Sequence, residues 1–274
     1  MITRVLRQHG IYFGQVLDRN SEAQVFQNIN DAILRGVGSS WKKFDSKFLF
    51  RERGEKRNAL LHIVRSRHLF WQHFFKELGA TGAVERLDRV AMIKKPLKNY
   101  FGLGWPNKDM RKVVWGWKDP RNTLTLSIWL KLFPDAKIVH VIRNGIDVAN
   151  SLWLRCKKMG WGLPECDDWA YCFRLWELYV EEARQYKALL GQRYMEVRYE
   201  RFVSYPQNEV RRMMDFLNLD MPLNEAALVS IDSTRSEIAK ILVGVDALTV
   251  VMNSNLFEDL GYRDVLLRGR YDSK

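Results

Sequence analysis

The chain has little cysteine, no long apolar run, and no segment rich in proline, glycine or serine that would mark a linker. Its three cysteines, Cys156, Cys166 and Cys172, form neither an even set nor a CxxC pair. That leaves no basis for a disulfide framework or a thiolate zinc site and fits a reducing compartment. No stretch approaches the ~18 consecutive apolar residues of a membrane helix. The opening residues, MITRVLRQHG, contain no apolar segment of the signal-peptide kind. The expectation is a cytoplasmic protein with no membrane span. In the absence of a linker, an internal repeat or a low-complexity tract, residues 1–274 read as one domain. The phosphate loop GxxxxGK[ST] is also missing, which counts against a P-loop-kinase-like phosphotransferase.

What is present is apolar mass and positive charge. Hydrophobic residues make up 47% and aromatics 12%, with ten tryptophans, enough for a buried core at this length. A net charge of +12 and a pI near 9.6 surround the protein with a field that attracts anions. Nucleotides, acidic glycans, nucleic acid and membrane surfaces all satisfy that field, so charge alone does not choose. The basic runs at 94–98 and 108–112 fit solvated loops as well as docking sites.

Hydrophobic periodicity predicts alternating helices and strands. Asn20 and Ser21 precede apolar positions Val25, Ile29 and Ile33, closed by Gly36, as in a capped amphipathic helix. A second helix is predicted over 55–78. It carries His68 and His73 about 140° apart around the axis, so they do not form a metal pair and no metal is expected. Residues 94–112 are basic, aromatic and aperiodic, the pattern of a long loop with a binding role. Then follow a buried strand at 113–118, a helix at 123–133 and a strand at 137–142, a parallel crossover unit. Helices at 147–159, 168–190 and 207–217 and a strand at 194–199 complete the series. Trp169, Phe173, Trp176 and Val180 keep helical spacing and read as core. The fold class is α/β, a mainly parallel sheet flanked by helices.

In open α/β sheets, ligands gather at the carboxyl ends of the strands. Three clusters fall there: Lys118, Asp119 and Arg121; Arg143 to Ser151; and Tyr199 with Glu200. The central one, KIVHVIRNGIDVANSLW at 137–153, joins a buried strand to a helix start through a glycine turn. Arg143 ends the strand, and Ser151 lies about two helical turns into the helix. A guanidinium fork and a hydroxyl so placed can converge on one anion beside the helix's positive end. A phosphorylated ligand is the natural reading.

These residues resemble the nucleotide-dependent sulfotransferases, especially their bacterial branch. Their 3′-phosphate motif runs Arg, Asn or Asp, Pro or Gly, any residue, Asp, then Ser four later. Arg143, Asn144, Gly145, Asp147 and Ser151 reproduce it, with Gly145 where many members have proline. The passages WKDPRNTLTLSIWLKLFPDAKIVHVIR, VRYERFVSYPQNEVRRMMDFLNL and LFEDLGYRD are similar to the segments around that motif and together cover roughly residues 115–264.

The resemblance implies sulfuryl transfer from 3′-phosphoadenosine-5′-phosphosulfate (PAPS) to a hydroxyl or amine on a small-molecule or carbohydrate acceptor, with no nucleic-acid partner. Arg143 and Ser151 would hold the 3′-phosphate. Tyr199 would lie near the adenine, and Ser233 or Thr234 could reach it too; a packed tyrosine at a strand end is the other reading of Tyr199. Lys118 matches a lysine near the sulfonate. Asp119 stands open between two roles, catalytic base and ion-pair partner of Arg121.

The implied architecture is of the P-loop-NTPase-like sulfotransferase type, with its first strand and GxxRSGTS-like phosphate loop missing. The segment MITRVLRQHGIYFG is similar to the helix that follows that loop. An internal start and a natural truncation both account for this, and weak nucleotide binding with little turnover is expected. A non-catalytic nucleotide- or polyanion-binding homologue stays open as the alternative.

Overall fold

The structure, a computed structural model, describes residues 1–14, 17, 18, 20–36, 39–42, 114–159, 168–220, 222–229 and 244–264. The helix expected at 55–78, the loop at 94–112, and Cys166, Ser233 and Thr234 lie outside them. The chain divides into two compact units, 1–134 and 135–274.

In the first unit, α1 (Ile2–Gln8) buries Val5 and Leu6, and Gly10, at φ 80°, turns the chain into an extended stretch. Helix α2 (Gln24–Gly36) is the predicted amphipathic helix, with two differences. Its buried stripe is Phe26, Ile29, Asn30 and Ile33, with Val25 at the margin. The chain entering it is folded by Asp18, whose Oδ1 accepts from the N–H groups of Asn20 (2.8 Å) and Glu22 (2.8 Å), while Ser21 takes φ 61°. An Asx turn therefore does the work expected of Asn20 and Ser21.

Helix α3 (Asn122–Leu132) matches its prediction and sets Trp129 edge-on to Phe26, with ring centroids 5.4 Å apart. The strand expected at 113–118 is reduced, among the described residues, to one parallel bridge. Tyr12 N–H donates to Val114 O and Gly116 N–H to Tyr12 O, both at 3.0 Å. The reason lies in the side chains. Trp117 stacks on Phe26 at 4.1 Å, Trp115 packs on Phe133, and Val114 is left 38% exposed. Among the described residues the apolar run joins an aromatic cluster with Phe26, Trp129 and Phe133 and forms no longer ladder.

The second unit holds β1 (Ile138–Ile142), α4 (Gly145–Met159), α5 (Trp169–Leu190) and β2 (Tyr194–Arg198). After them come α6 (Tyr199–Ser204), α7 (Pro206–Leu217), α8 (Glu225–Val229), α9 (Gly244–Met252) and α10 (Asn255–Asp259). β1 and β2 pair in parallel, Ile138 opposite Tyr194 through Ile142 opposite Arg198, a crossover whose connection is α4 and α5 and which is not the one expected between 113–118 and 137–142.

Local chemistry sets the helix ends: Asp168 caps α5 by accepting from Ala170 N–H (2.9 Å), Pro206 opens α7, and Asn218 closes it at φ 59°. Trp169, Phe173, Trp176 and Val180 are buried as expected, and they form the core with Ile142 and Ile146 and with Val251 and Phe257. Cys156 and Cys172 are buried in that core. On the sheet, His140 Nδ1 meets Tyr194 Oη at 2.6 Å. Burial lowers the His140 pKa to about 4, so the ring is neutral at neutral pH and shares a hydrogen bond with the phenol whose direction follows from the tautomer.

Candidate functional site

Parallel pairing in this register releases Arg143 and Tyr199 from the sheet side by side, one residue past the matched pair Ile142 and Arg198. The Arg143 guanidinium lies over the Tyr199 ring, 4.8 Å from its centroid. Nε and Nη2 also bind Asp147 Oδ2 at 3.2 and 2.9 Å. Asp147 is nearly buried, while the Arg143 side chain keeps 31% exposure. Ser151 lies exposed one helical turn beyond Asp147, on the same face of α4. The motif thus presents one cation, braced by a carboxylate and an aromatic face, with a hydroxyl further along the helix.

Each motif residue has a local reason. Asn144 is the N-cap of α4, its Oδ1 accepting from Ile146 N–H at 2.9 Å. Gly145 is required by space, because a Cβ there would stand 2.5 Å from Cε3 of Trp176. The Trp176 indole also donates to the Arg143 carbonyl at 3.0 Å. A proline, which the family pattern admits at this position, would meet the same ring.

The tip of α4 is already occupied. Glu200 Oε1 accepts from Asn144 N–H at 2.7 Å, and its Oε2 accepts from the Tyr262 hydroxyl at 2.9 Å. A resident carboxylate therefore takes the place that the helix dipole offers an anion. Arg143 and Ser151 lie along the flank of α4, away from this tip. Tyr262 is buried, which with the Glu200 charge pushes its hydroxyl well above the usual tyrosine range.

Lys118, Asp119 and Arg121 belong to the first unit and form a second group. The Asp119 carboxylate is 0% exposed. Its Oδ1 accepts from Arg121 N–H and Nη1, both at 3.0 Å, and its Oδ2 from Asn30 at 2.9 Å. Of the two roles left open for Asp119, the ion pair with Arg121 is present. Arg121 Nε meets Asp31 Oδ1 at 2.7 Å. Lys118, with a side chain 40% exposed, donates to Glu22 Oε1 at 2.8 Å, and Gln27 donates to Glu22 Oε2 at 2.9 Å. Asn30 Oδ1 also accepts from Thr125 (2.7 Å) and Trp129 (2.8 Å), so the network ties α2 to α3. Glu22, Asn30 and Asp31 were not singled out in the sequence. The signal available was a Glu and an Asn flanking a buried helix stripe, too common to carry weight.

The structure brings together Arg143 with Tyr199 and Glu200, and separately Lys118 with Asp119 and Arg121. Among the described residues no group of three or more His, Cys, Asp or Glu side chains could hold a metal, and no helix is long and apolar enough to cross a membrane.

Comparison with known proteins places the chain in a family. A family model described as the sulfotransferase family matches residues 18–223, well over half of the chain. A protein-tyrosine sulfotransferase of Drosophila melanogaster is 30% identical over 112 residues. That match covers 40% of this chain and 22% of the fly protein, so the chain spans well under half of that relative's length.

Proposed function

The chain belongs to the sulfotransferase family, and from that premise we propose that it binds the nucleotide of PAPS through the 3′-phosphate and directs sulfuryl transfer to a hydroxyl or amine acceptor. One observation carries the reading: the β1 and β2 register sets Arg143 beside Tyr199, with Ser151 on the exposed face of the helix that follows. A guanidinium with an exposed side and a hydroxyl suit a phosphate dianion, and the Tyr199 ring offers an aromatic surface for a base. The residues present fit the 3′-phosphate end of the nucleotide. When bound, PAPS supplies an activated sulfonate. Lys118 is the cation proposed to face its oxygens, and Asp119 the carboxylate proposed to take the acceptor's proton. Glu22, on the same lysine, is the competing carboxylate. The acceptor class, small molecule or carbohydrate, stays with the family resemblance.

Calorimetric titration with adenosine 3′,5′-bisphosphate and with ATP tests the reading. Binding of the bisphosphate that ATP does not compete away, and that Arg143→Ala weakens by at least about tenfold, supports it. Binding that survives Arg143→Ala yet disappears with added salt points to a general polyanion-binding surface.

A further inference from the structure

The backbone at 143–145 is fixed by side chains from outside its own strand and helix. From α5, Trp176 donates to the Arg143 carbonyl at 3.0 Å and lies flat against Gly145. On the other side, Glu200 accepts from Asn144 N–H at 2.7 Å. The second oxygen of Glu200 is held in turn by the Tyr262 hydroxyl at 2.9 Å. Tyr262 is itself clamped, with the Arg198 guanidinium 4.7 Å from its ring centroid and the Phe257 ring 5.5 Å away.

We infer that Glu200 and Tyr262 form a positioning pair for the anion site, holding the 143–145 turn and thereby coupling the segment after α10 to phosphate binding at Arg143. The inference rests on the reading of Arg143 and Ser151 as 3′-phosphate ligands. Its physical basis is the peptide between Arg143 and Asn144. The carbonyl of that peptide is pinned by Trp176 and its N–H by Glu200, so the plane cannot rotate. The direction in which Arg143 leaves the backbone is set by that plane, and the guanidinium is then steadied by Asp147 and Tyr199. The carboxylate of Glu200 also fills the helix tip, which leaves the flank of α4 as the place where an anion is held. Neither Glu200 nor Tyr262 touches the anion in this scheme.

Three variants of the whole chain test it, titrated with adenosine 3′,5′-bisphosphate and adenosine 5′-phosphate, with urea midpoints reporting any general loss of fold. Tyr262→Phe removes one hydroxyl and is expected to weaken bisphosphate binding about fivefold while leaving 5′-phosphate binding unchanged. Glu200→Leu removes the acceptor for Asn144 N–H and is expected to weaken bisphosphate binding by at least about tenfold. Glu200→Gln retains that acceptor and is expected to stay close to the parent, a rescue that loss of packing alone would not produce. Parent-like bisphosphate affinity in Tyr262→Phe, or equal loss in Glu200→Gln and Glu200→Leu, overturns the inference. If Glu200→Leu does not fold, Tyr262→Phe and Glu200→Gln decide it. A parent chain that does not distinguish the two nucleotides overturns the 3′-phosphate reading itself, and the positioning pair with it.

Discussion

Replacing Gly145 by alanine should be costly, although helix propensity favours the change by up to about 1 kcal/mol. Gly145 does not need the left-handed backbone region, so conformation is not the obstacle. The obstacle is Trp176, whose Cε3 would lie 2.5 Å, and whose Cδ2 and Cζ3 would lie 2.7 Å, from the new Cβ. Carbon atoms in good contact sit at about 3.5–4.0 Å, so the indole must retreat by about 1 Å. It has little room, being boxed by Phe173 at 5.3 Å, Phe257 at 6.2 Å and Tyr262 at 6.5 Å. Retreat also stretches its hydrogen bond to the Arg143 carbonyl.

Overpacking costs about 1–3 kcal/mol and an unmade buried hydrogen bond about 1–3 kcal/mol. Against the propensity gain, the net loss is roughly 1–5 kcal/mol. Urea unfolding measures it. Trp176→Ala alone should cost about 3–5 kcal/mol, and in that background Gly145→Ala should be neutral or slightly stabilising. A Gly145→Ala cost below about 0.5 kcal/mol, or one unchanged by removing Trp176, refutes the reasoning.

Arg143→Ala should weaken adenosine 3′,5′-bisphosphate binding by roughly 10- to 100-fold and Ser151→Ala by a few-fold, read by calorimetry. Asp119→Asn should destabilise by about 3 kcal/mol in denaturant, since it removes a buried charge from its pair with the largely buried Arg121; Glu22→Gln should cost less stability. If Glu22→Gln then lowers sulfuryl turnover while Asp119→Asn, held below its melting temperature, retains it, Glu22 is the base and the Asp119 proposal falls. Glu182 is 2% exposed with Oε2 unpartnered, and burial, then the Glu181 charge, push its carboxyl up to about 8. A pKa raised by folding gives stability that is complete below about 4.5 and lost as pH rises towards about 8. Glu182→Gln should remove that slope, roughly 2–4 kcal/mol after allowance for solvent screening, and an unchanged pH profile would contradict it.

Much of the second unit was legible because its signals are local. The run of β-branched residues in β1, the Asp168 cap and the i, i+4 aromatics of α5 each act within a few residues of themselves. The same logic was met only by a single bridge among the described residues of 113–118. There the composition of a buried strand is shared with an aromatic cluster, and Phe26 and Phe133, distant in sequence, decide which forms. Candidate residues divided in the same way. Arg143 and Ser151 were visible as a spaced pair, and Asp147 as its companion. Glu22 and Asn30 were not, because their partners lie 96 and 89 residues away.

By itself, the sequence determined the alternation of elements, the apolar faces and the strand-to-helix turn bearing Arg143, since propensity, capping and periodicity act over short distances. Tertiary packing decided what that turn does. Trp176 dictates glycine at 145, Glu200 fills the helix tip, Tyr262 locks Glu200, and the β1 and β2 register sets Tyr199 under Arg143. These contacts join side chains tens of residues apart. Their geometry exists only when sheet and core form together, so no local pattern could encode it.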